Sequence, residues 1–319
     1  MRSYLEFEKP LADIEGKIRE LKSVDRDSDD GISLEGEIAK LEKKAEATLT
    51  DLYGKLTPWH KTQIARHPDR PHFKDYIASF LTDFVPMAGD RYFAEDHAII
   101  AGFGRFDGQS VAVIGQEKGN DTKSRLKRNF GMARPEGYRK AARMMQLADR
   151  FQIPILTIVD TAGAYPGIGA EERGQAEAIA RSTEACLNVK VPLISVIIGE
   201  GGSGGAIAPA TANRVYMLEH AIYSVISPEA GASILWRDAT RAMDVANSMK
   251  ITAQDLQQLG VIDGIIEEPV GGAHRDANAV IEKTAQVIRE ALSELGELDG
   301  AQLRKTRRDK FLAIGRNLS

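Results

Sequence analysis

Residues 153–167 read IPILTIVDTAGAYPG, and residues 191–206 read VPLISVIIGEGGSGGA. Each stretch begins as an apolar run of the kind that forms a buried strand, and a glycine-rich turn follows at once. Glycine lets the backbone approach a ligand closely and adopt φ > 0, so that amide N–H groups can point at an oxygen. Two such turns on neighbouring parallel strands predict an oxyanion hole, a pair of N–H donors built from backbone.

The elements around these strands predict an α/β body over residues 98–296. Asp107-Gly108 separates two apolar runs and indicates a β-hairpin, and Pro135 opens a helix. The further predictions are strand 153–160, helix 171–186, strand 191–198, short strands 215–218 and 223–226, and mainly helices over 234–295. Strand, turn and helix repeated in this way imply a largely parallel sheet with helices outside it, whose ligands lie at the carboxyl ends of the strands.

Segments of a different character flank this body. Residues 1–56 carry two apolar stripes at helical spacing, interrupted by the polar residues 25–31, and predict an antiparallel pair of helices. Residues 57–97 read as a mixed connector containing four prolines. Residues 297–319 form a basic C-terminal tail, and we expect its part from Arg304 to Arg316 to be loosely held.

The overall composition is typical of a soluble protein and carries no nucleic-acid signature. The 319 residues are 43% hydrophobic, and 42 basic against 46 acidic side chains give a net charge of −4. The single cysteine, Cys186, excludes an intramolecular disulfide and a multi-cysteine zinc site, which fits the cytoplasm. No apolar run reaches the ~18 residues of a membrane span, and the first ten residues lack the apolar core of a signal peptide.

One segment departs from the acidic balance of the whole. Residues 118–143 hold nine basic side chains against two acidic ones, a local balance of +7. Such a stretch suits the phosphates of a nucleotide-tailed substrate or an acidic partner. The alternative is a solvated helix face.

The second glycine turn also matches motifs of other chemistry. Residues 199–204 fit G-x-G-x-x-G, and Glu219 follows at the distance typical of a ribose-binding acid. Residues 201–205 fit the nucleophile elbow G-x-S-x-G around Ser203. A tight contact between helix and sheet needs the same small residues without any chemistry. After the first turn, Glu171 and Glu172 are either helix-capping residues or a general acid/base.

Residues 160–175, DTAGAYPGIGAEERGQ, resemble the signature of the α subunits of bacterial acetyl-coenzyme A carboxylase carboxyltransferases. The resemblance extends along the chain to residues 7–10, 65–71, 128–132, 135–140, 199–206, 223–229 and 271–275. Because it runs essentially from end to end, it is more specific than either glycine turn. One departure is Ala162, which stands where the family usually has proline and removes no N–H from the turn.

The resemblance implies a ClpP/crotonase-like fold, a spiral of ββα units with an added N-terminal helical region. It implies transfer of the carboxyl group from carboxybiotin, on a biotin carboxyl carrier protein, to acetyl-CoA, which gives malonyl-CoA for fatty acid synthesis. The implied assembly is an ATP-dependent complex with biotin carboxylase. Within it, two α and two β carboxyltransferase subunits form a heterotetramer, and β brings a four-cysteine zinc ribbon. No cofactor or metal bound by the α chain itself is implied.

The resemblance and the glycine turns together assign roles to particular residues. We expect the N–H groups of Gly204 and Gly205, completed by Gly163 and Ala164, to hold the biotin oxygen, while β holds the thioester oxygen. The expected substrate-binding residues are Gly201, Gly202, Tyr165, Lys123, Arg125, Lys127 and Arg128. The alternatives are a crotonase-fold CoA hydratase or isomerase, which needs a pair of correctly placed carboxylates, and an NAD-binding oxidoreductase that uses residues 199–204.

Overall fold

A computed structural model describes residues 3–27 and 34–316 of the chain. The helices are α1 (Lys9–Asp27), α2 (Glu35–Tyr53), α3 (Pro58–Ala65), α4 (Phe73–Phe80), α5 (Thr122–Lys127), α6 (Pro135–Arg150), α7 (Ile168–Glu172), α8 (Gln175–Asn188), α9 (Ser203–Ala210), α10 (Pro228–Trp236), α11 (Ala242–Ser248), α12 (Ala253–Gln258), α13 (Ala277–Gly296) and α14 (Gly300–Ala313). The strands are β1 (Leu81–Pro86), β2 (Ile99–Phe106), β3 (Gln109–Gln116), β4 (Ile155–Thr161), β5 (Leu193–Gly202), β6 (Arg214–Leu218), β7 (Ile222–Ser224) and β8 (Gly264–Ile266). Within these ranges no helix combines the length and the apolar character that crossing a membrane requires.

One mixed sheet organises the fold. Its strands follow the order β1-β2-β3-β4-β5-β6-β8, and β7 pairs with the end of β5. β1, β2 and β3 are antiparallel neighbours, whereas the pairs from β3 onward are parallel. Parallel neighbours need long crossover connections, and helices provide them here. The predicted largely parallel sheet with helices outside it is therefore confirmed.

The strands that carry the glycine turns lie at the centre of the core. All side chains of β4 and β5 are buried, as expected of parallel strands covered on both faces. α6 packs against α8 and the β2–β3 hairpin, and it buries the helical face that carries Tyr138, Ala141, Met145 and Ala148. The hairpin loop, Asp107-Gly108, has φ values of 49° and 80°, which a two-residue loop of this kind requires.

α1 and α2 pack against each other as the predicted antiparallel pair. Leu11, Ile18, Ile38 and Ala45 form the buried centre of their contact. The Tyr53 hydroxyl donates to the Glu8 carboxylate at 3.1 Å. This bond joins the C-terminal end of α2 to the residue that precedes the N-terminus of α1. Residues 28–31 of the predicted polar interruption lie outside the described residues, as do residues 1–2 and 317–319 of the predicted terminal segments.

The connector contains more regular structure than the sequence indicates, because α3, α4 and β1 lie within it. Thr57 caps α3 by accepting the His60 N–H, and Pro58 occupies the first helical position. Phe73 and Tyr76 of α4 are fully buried, and β1 extends the sheet beside β2. Elements of six to eight residues are too short for their periodicity to stand out in the sequence.

Other predictions of local structure differ from what the structure shows. The predicted helix 171–186 is divided into α7 and α8 at Gly174, whose φ is 79°. β8 lies inside the segment predicted to be mainly helical. The prediction that residues 304–316 are loosely held is wrong, since α14 docks on the body through the fully buried side chain of Arg307.

Candidate active site

The two glycine turns meet at the carboxyl-terminal edge of the sheet. The first follows β4, and the second spans the junction where β5 ends at Gly202 and α9 begins at Ser203. A Cβ atom at Gly205 would lie 2.6 Å from the carbonyl carbon of Gly163 and 3.0 Å from the amide nitrogen of Ala164. Only glycine fits at position 205, because any side chain there would push the two turns apart.

The predicted N–H donors differ in whether the protein already uses them. Gly204 and Gly205 belong to the first turn of α9, whose N–H groups have no acceptor within the helix. Among the described residues, nothing accepts the Ala164 N–H. The Gly163 N–H, in contrast, donates to the Thr161 hydroxyl at 3.1 Å, and that hydroxyl donates to the Gly163 carbonyl at 2.7 Å. Gly163 can therefore reach a ligand only when this local contact opens.

Gly201 and Gly202, which the sequence predicts to bind substrate, are buried within β5. Gly201 is paired with Thr161 on one side and Tyr223 on the other. A Cβ atom at Gly202 would lie 2.1 Å from the carbonyl oxygen of Ala162. Small residues here allow the first turn to contact β5, and a role in substrate binding stays a prediction. A dinucleotide needs these glycines in an open loop, so their position disfavours the NAD alternative.

Ser203 has the backbone of an elbow residue but no catalytic base. Its φ is 53°, a left-handed value that is uncommon outside glycine. His220 and His274 follow it in the chain, but their rings lie against Tyr53 and His67. In the described part of the chain no histidine is bonded to the Ser203 hydroxyl. A serine nucleophile needs such a base within hydrogen-bond reach, so the geometry disfavours a hydrolase.

Tyr165 is held at the first turn by contacts with the segment that precedes α6. Its N–H donates to the Ala133 carbonyl at 2.9 Å, and the Arg134 guanidinium lies 4.7 Å from its ring centre. The Gln175 side chain donates to the carbonyls of both Ala133 and Tyr165 at 2.9 Å. Tyr165 is half-buried beside the first turn, and its contact with substrate stays a prediction.

Part of the basic segment 118–143 serves the fold itself. The side chains used in this way are Lys118 (paired with Asp160 and Glu200), Arg134 (over the Tyr165 ring), Arg139 (paired with Asp90), Lys140 (paired with Glu95) and Arg143 (bonded to the Ala88 and Gly89 carbonyls). Carboxylates neutralise the charges of Lys118, Arg139 and Lys140, whereas Arg134 and Arg143 contact only a ring and backbone carbonyls.

The remaining four basic side chains, Lys123, Arg125, Lys127 and Arg128, form a surface that we call the α5 patch. Arg125 donates to the Gly119 carbonyl and Arg128 to the His97 carbonyl. Within the described ranges none of the four has a carboxylate at ion-pair distance. They are the four basic residues that the sequence predicts to bind substrate, and their charges are free to do so.

A pocket of about 260 Å³ lies beside the turns. For most of the residues that line it, the sequence predicts no functional role. Its charged lining includes Arg66, Arg70, Lys118, Asp160 and Glu200, which come from four separate segments of the chain. Lys118 was expected only as part of the basic segment. Arg66, Arg70, Asp160 and Glu200 lie in the segments 65–71, 160–175 and 199–206, which carry the family resemblance and so point to this pocket.

Asp160 and Glu200 bring two carboxylates close to the glycine turns. Burial alone would raise the pKa of each, but Lys118 beside both of them, and Arg66 beside Glu200, hold each pKa below its usual range. Both groups are therefore ionised and neither can donate a proton. A hydratase or isomerase that works with an acid and a base needs one protonated carboxyl group, so this pair does not suit it.

Known proteins with similar sequences cover this chain from end to end. A family model described as acetyl co-enzyme A carboxylase carboxyltransferase-like matches residues 4–315. The acetyl-coenzyme A carboxylase carboxyl transferase subunit alpha of Agrobacterium fabrum is 66% identical over 318 residues, with 100% of each chain covered. The protein of the same name from Rhizobium meliloti is 66% identical over the same length, again with 100% of each chain covered.

Solved structures share the fold at low sequence identity. Transcarboxylase 12S with methylmalonyl-coenzyme A bound matches with a TM-score of 0.59 and 20% identity, over 73% of this chain and 42% of that chain. The beta subunit of P. aeruginosa geranyl-CoA carboxylase matches with a TM-score of 0.54 and 17% identity, over 74% and 45%. This chain thus spans less than half of either protein. The likeness shows that this chain shares the fold of these proteins, and it agrees with the α/β sheet covered by helices that the sequence predicts.

Proposed function

The chain belongs to the family of acetyl-coenzyme A carboxylase carboxyl transferase alpha subunits, and we propose that its two glycine turns stabilise the negative charge that develops during carboxyl transfer. Family membership makes the chain a carboxyltransferase of lipid metabolism and one subunit of a larger enzyme. The function expected from the sequence is confirmed at this level. The roles of individual residues are the part that we propose.

In the proposed reaction, carboxybiotin on a biotin carboxyl carrier protein passes its carboxyl group to acetyl-CoA. The N–C bond of carboxybiotin breaks and releases CO₂, which leaves negative charge on the ureido oxygen of biotin. Biotin then takes a proton from the acetyl methyl group, and the resulting enolate attacks CO₂ to give malonyl-CoA. Charge therefore develops on the ureido oxygen and then on the thioester oxygen, and N–H donors fixed at these oxygens lower the barrier.

The contact between the two turns carries this proposal. It brings the Ala164 amide next to Gly205, and this proximity supports the proposal that N–H groups from both turns act on one oxygen. We assign the N–H groups of Ala164, Gly204 and Gly205 to the ureido oxygen, with Gly163 joining only if its bond to Thr161 opens. The donors for the thioester oxygen come from the β subunit. No side-chain base is needed, because biotin itself takes the proton.

The proposed assembly contains two copies of this chain and two β subunits, and it works with the carrier protein and biotin carboxylase. A four-cysteine zinc ribbon would come from β. Cys186 of this chain is buried and donates to the Ala208 carbonyl, and burial raises the pKa of its thiol to about 12. A thiol in this state neither binds zinc nor reacts. We propose no cofactor held by this chain; carboxybiotin and acetyl-CoA are its substrates.

The α5 patch is proposed as the surface that meets the negatively charged part of one substrate. Its four free cations suit either the phosphates of CoA or an acidic face of the carrier protein. Ion pairs with carboxylates neutralise Lys118, Arg139 and Lys140, which supports assigning this role to Lys123, Arg125, Lys127 and Arg128.

The change Gly205→Val tests the role of the turns. A side chain at 205 collides with the backbone of Gly163, so the donors can no longer converge. Loss of one such donor typically costs about 2.7–4 kcal/mol, or 10²–10³-fold in kcat. We expect malonyl-CoA formation by the complex with β to fall below about 1% of the wild-type rate while the fold survives.

Gly16→Val serves as the matched control, since a Cβ atom there meets nothing within 4 Å. Its complex should keep wild-type turnover. A Gly205→Val complex with near-normal kcat would show that the turns do not supply the donors.

A further inference from the structure

The pairing of β4 with β5 is interrupted immediately before the glycine turns. Val159 is paired with Ile197, and the next pair is Thr161 with Gly201. Asp160 therefore faces three residues of β5, from Ile198 to Glu200. A bulge of this kind breaks ladder hydrogen bonds and redirects the strand that follows it. The direction of the second turn thus depends on what holds this bulge.

Buried side chains make the hydrogen bonds that the bulge leaves open. Asp160 Oδ1 accepts the Glu200 N–H at 2.9 Å, and Arg70 Nη2 donates to the Ile198 carbonyl at 2.8 Å. Each charge has a buried counter-ion: Lys118 Nζ lies 2.7 Å from Asp160 Oδ1, and Glu268 accepts two bonds of 2.8 Å from Arg70. Buried backbone groups need partners, so these side chains determine the shape of the bulge.

Gln116 connects this bulge to the second turn. Its Oε1 accepts the Asp160 N–H at 3.1 Å, and its Nε2 donates to the Gly205 carbonyl at 2.7 Å. The side chain is only 2% exposed, so water does not readily replace either bond. One amide group therefore ties the residue that precedes the first turn to the glycine at which the two turns touch.

We propose that Gln116 and Asp160 are positioning residues for the oxyanion hole, an inference that rests on the proposed function of the glycine turns. Neither residue touches the reacting atoms. They fix the backbone on both sides of the donors, so that the N–H groups are in place before charge develops. A small displacement of these donors lowers kcat, whereas substrate binding, which uses other contacts, changes little.

The test uses Gln116→Met, which keeps the size of the side chain and removes both bonds, and Asp160→Asn, which removes the charge that Lys118 neutralises. Each variant is purified as the complex with β, and kcat, both KM values and the melting temperature are measured. We expect kcat to fall at least about tenfold in each, with both KM values within about twofold of the wild type.

Asn213→Leu is the matched control, because Asn213 bonds backbone at the opposite end of β5. Its side chain is also 2% exposed; it accepts the Leu193 N–H at 3.2 Å and donates to the Leu303 carbonyl at 2.8 Å. We expect this variant to melt at a lower temperature with kcat unchanged. The comparison separates positioning of the donors from a general loss of stability.

Wild-type kcat in folded Gln116→Met and Asp160→Asn complexes would overturn the inference. So would a rise in KM at constant kcat, which would make these residues substrate contacts, or a kcat loss no greater than in Asn213→Leu. If the Gln116→Met variant does not assemble with β, the kcat and KM values of the Asp160→Asn complex alone test the inference. Normal turnover of Gly205→Val would refute the proposed function instead, so the two failures are distinguishable.

Discussion

Arg307 is fully buried and, within the described ranges, has no carboxylate partner. Its guanidinium donates to the carbonyls of Cys186, Val189 and Val191 at 2.6, 2.7 and 3.0 Å. Burial lowers the pKa of Arg307 to about 10, so the side chain stays charged at neutral pH. Carbonyls at the end of a helix lack partners within it, and a cation there is favourable. Arg307 therefore caps α8 and fastens α14 to the body.

Arg307→Met should destabilise the protein strongly, because it leaves several buried carbonyls without donors. A buried carbonyl left without a donor typically costs about 1–3 kcal/mol. The free energy of unfolding of the purified chain, measured by denaturant titration, gives the value. Arg308→Met on the exposed face of the same helix should change it by no more than about 0.5 kcal/mol. Equal effects of the two substitutions would contradict the capping role.

The structural role of a side chain such as Arg307 cannot be predicted from the sequence. The glycine turns are visible because glycine is concentrated directly after apolar strands. Asp160 and Arg70 lie in segments that the sequence singles out, but their roles and that of Gln116 are not visible in it. Each acts through a hydrogen bond to the backbone of a segment about 40 residues or more away in the chain. Arg307 sits among surface-type charges in the sequence, and its burial depends only on where α14 docks.

At the scale of elements, the sequence predicts well where periodicity or turn chemistry is strong. The β2–β3 hairpin, α6, β4 and β5 are found where they were expected. The sequence does not reveal α3, α4 and β8, which have only three to eight residues. Tertiary contacts, rather than local sequence preferences, stabilise elements of this length. The basic segment is a mixture, because five of its nine basic side chains make contacts within the fold and the other four form the α5 patch.

Neutralising the α5 patch should weaken the binding of one substrate. In the triple variant Lys123→Gln, Arg125→Gln and Lys127→Gln, we expect the apparent KM for either acetyl-CoA or the carboxylated carrier protein to rise about tenfold, and less so at high salt. kcat should stay near its wild-type value. Steady-state kinetics of the complex with each substrate varied in turn identifies which one meets the patch.

The control for this variant is an equal loss of charge on α14, through Arg304→Gln, Lys305→Gln and Arg308→Gln, all of which are exposed. Both KM values should stay unchanged there. If the α5 variant behaves like this control, the patch is ordinary solvated surface.

The whole molecule has the features of a subunit whose site is completed by a partner. In the proposed reaction the turns provide donors for one oxygen, whereas charge develops on two. Exposed apolar side chains also lie on the segment that follows the second turn; they are Val225, Ile234, Leu235, Trp236 and Met243. Exposed aromatic and methionine side chains are enriched at protein interfaces. We therefore expect the isolated chain to fold but not to catalyse carboxyl transfer.

The most direct test is malonyl-CoA formation from carboxybiotin and acetyl-CoA, by this chain alone and after mixing with its β subunit. We predict activity only in the mixture, because the thioester oxygen finds its donors on β. Activity of the chain alone, or none in a well-formed complex, would contradict the account of a divided active site built on these two glycine turns.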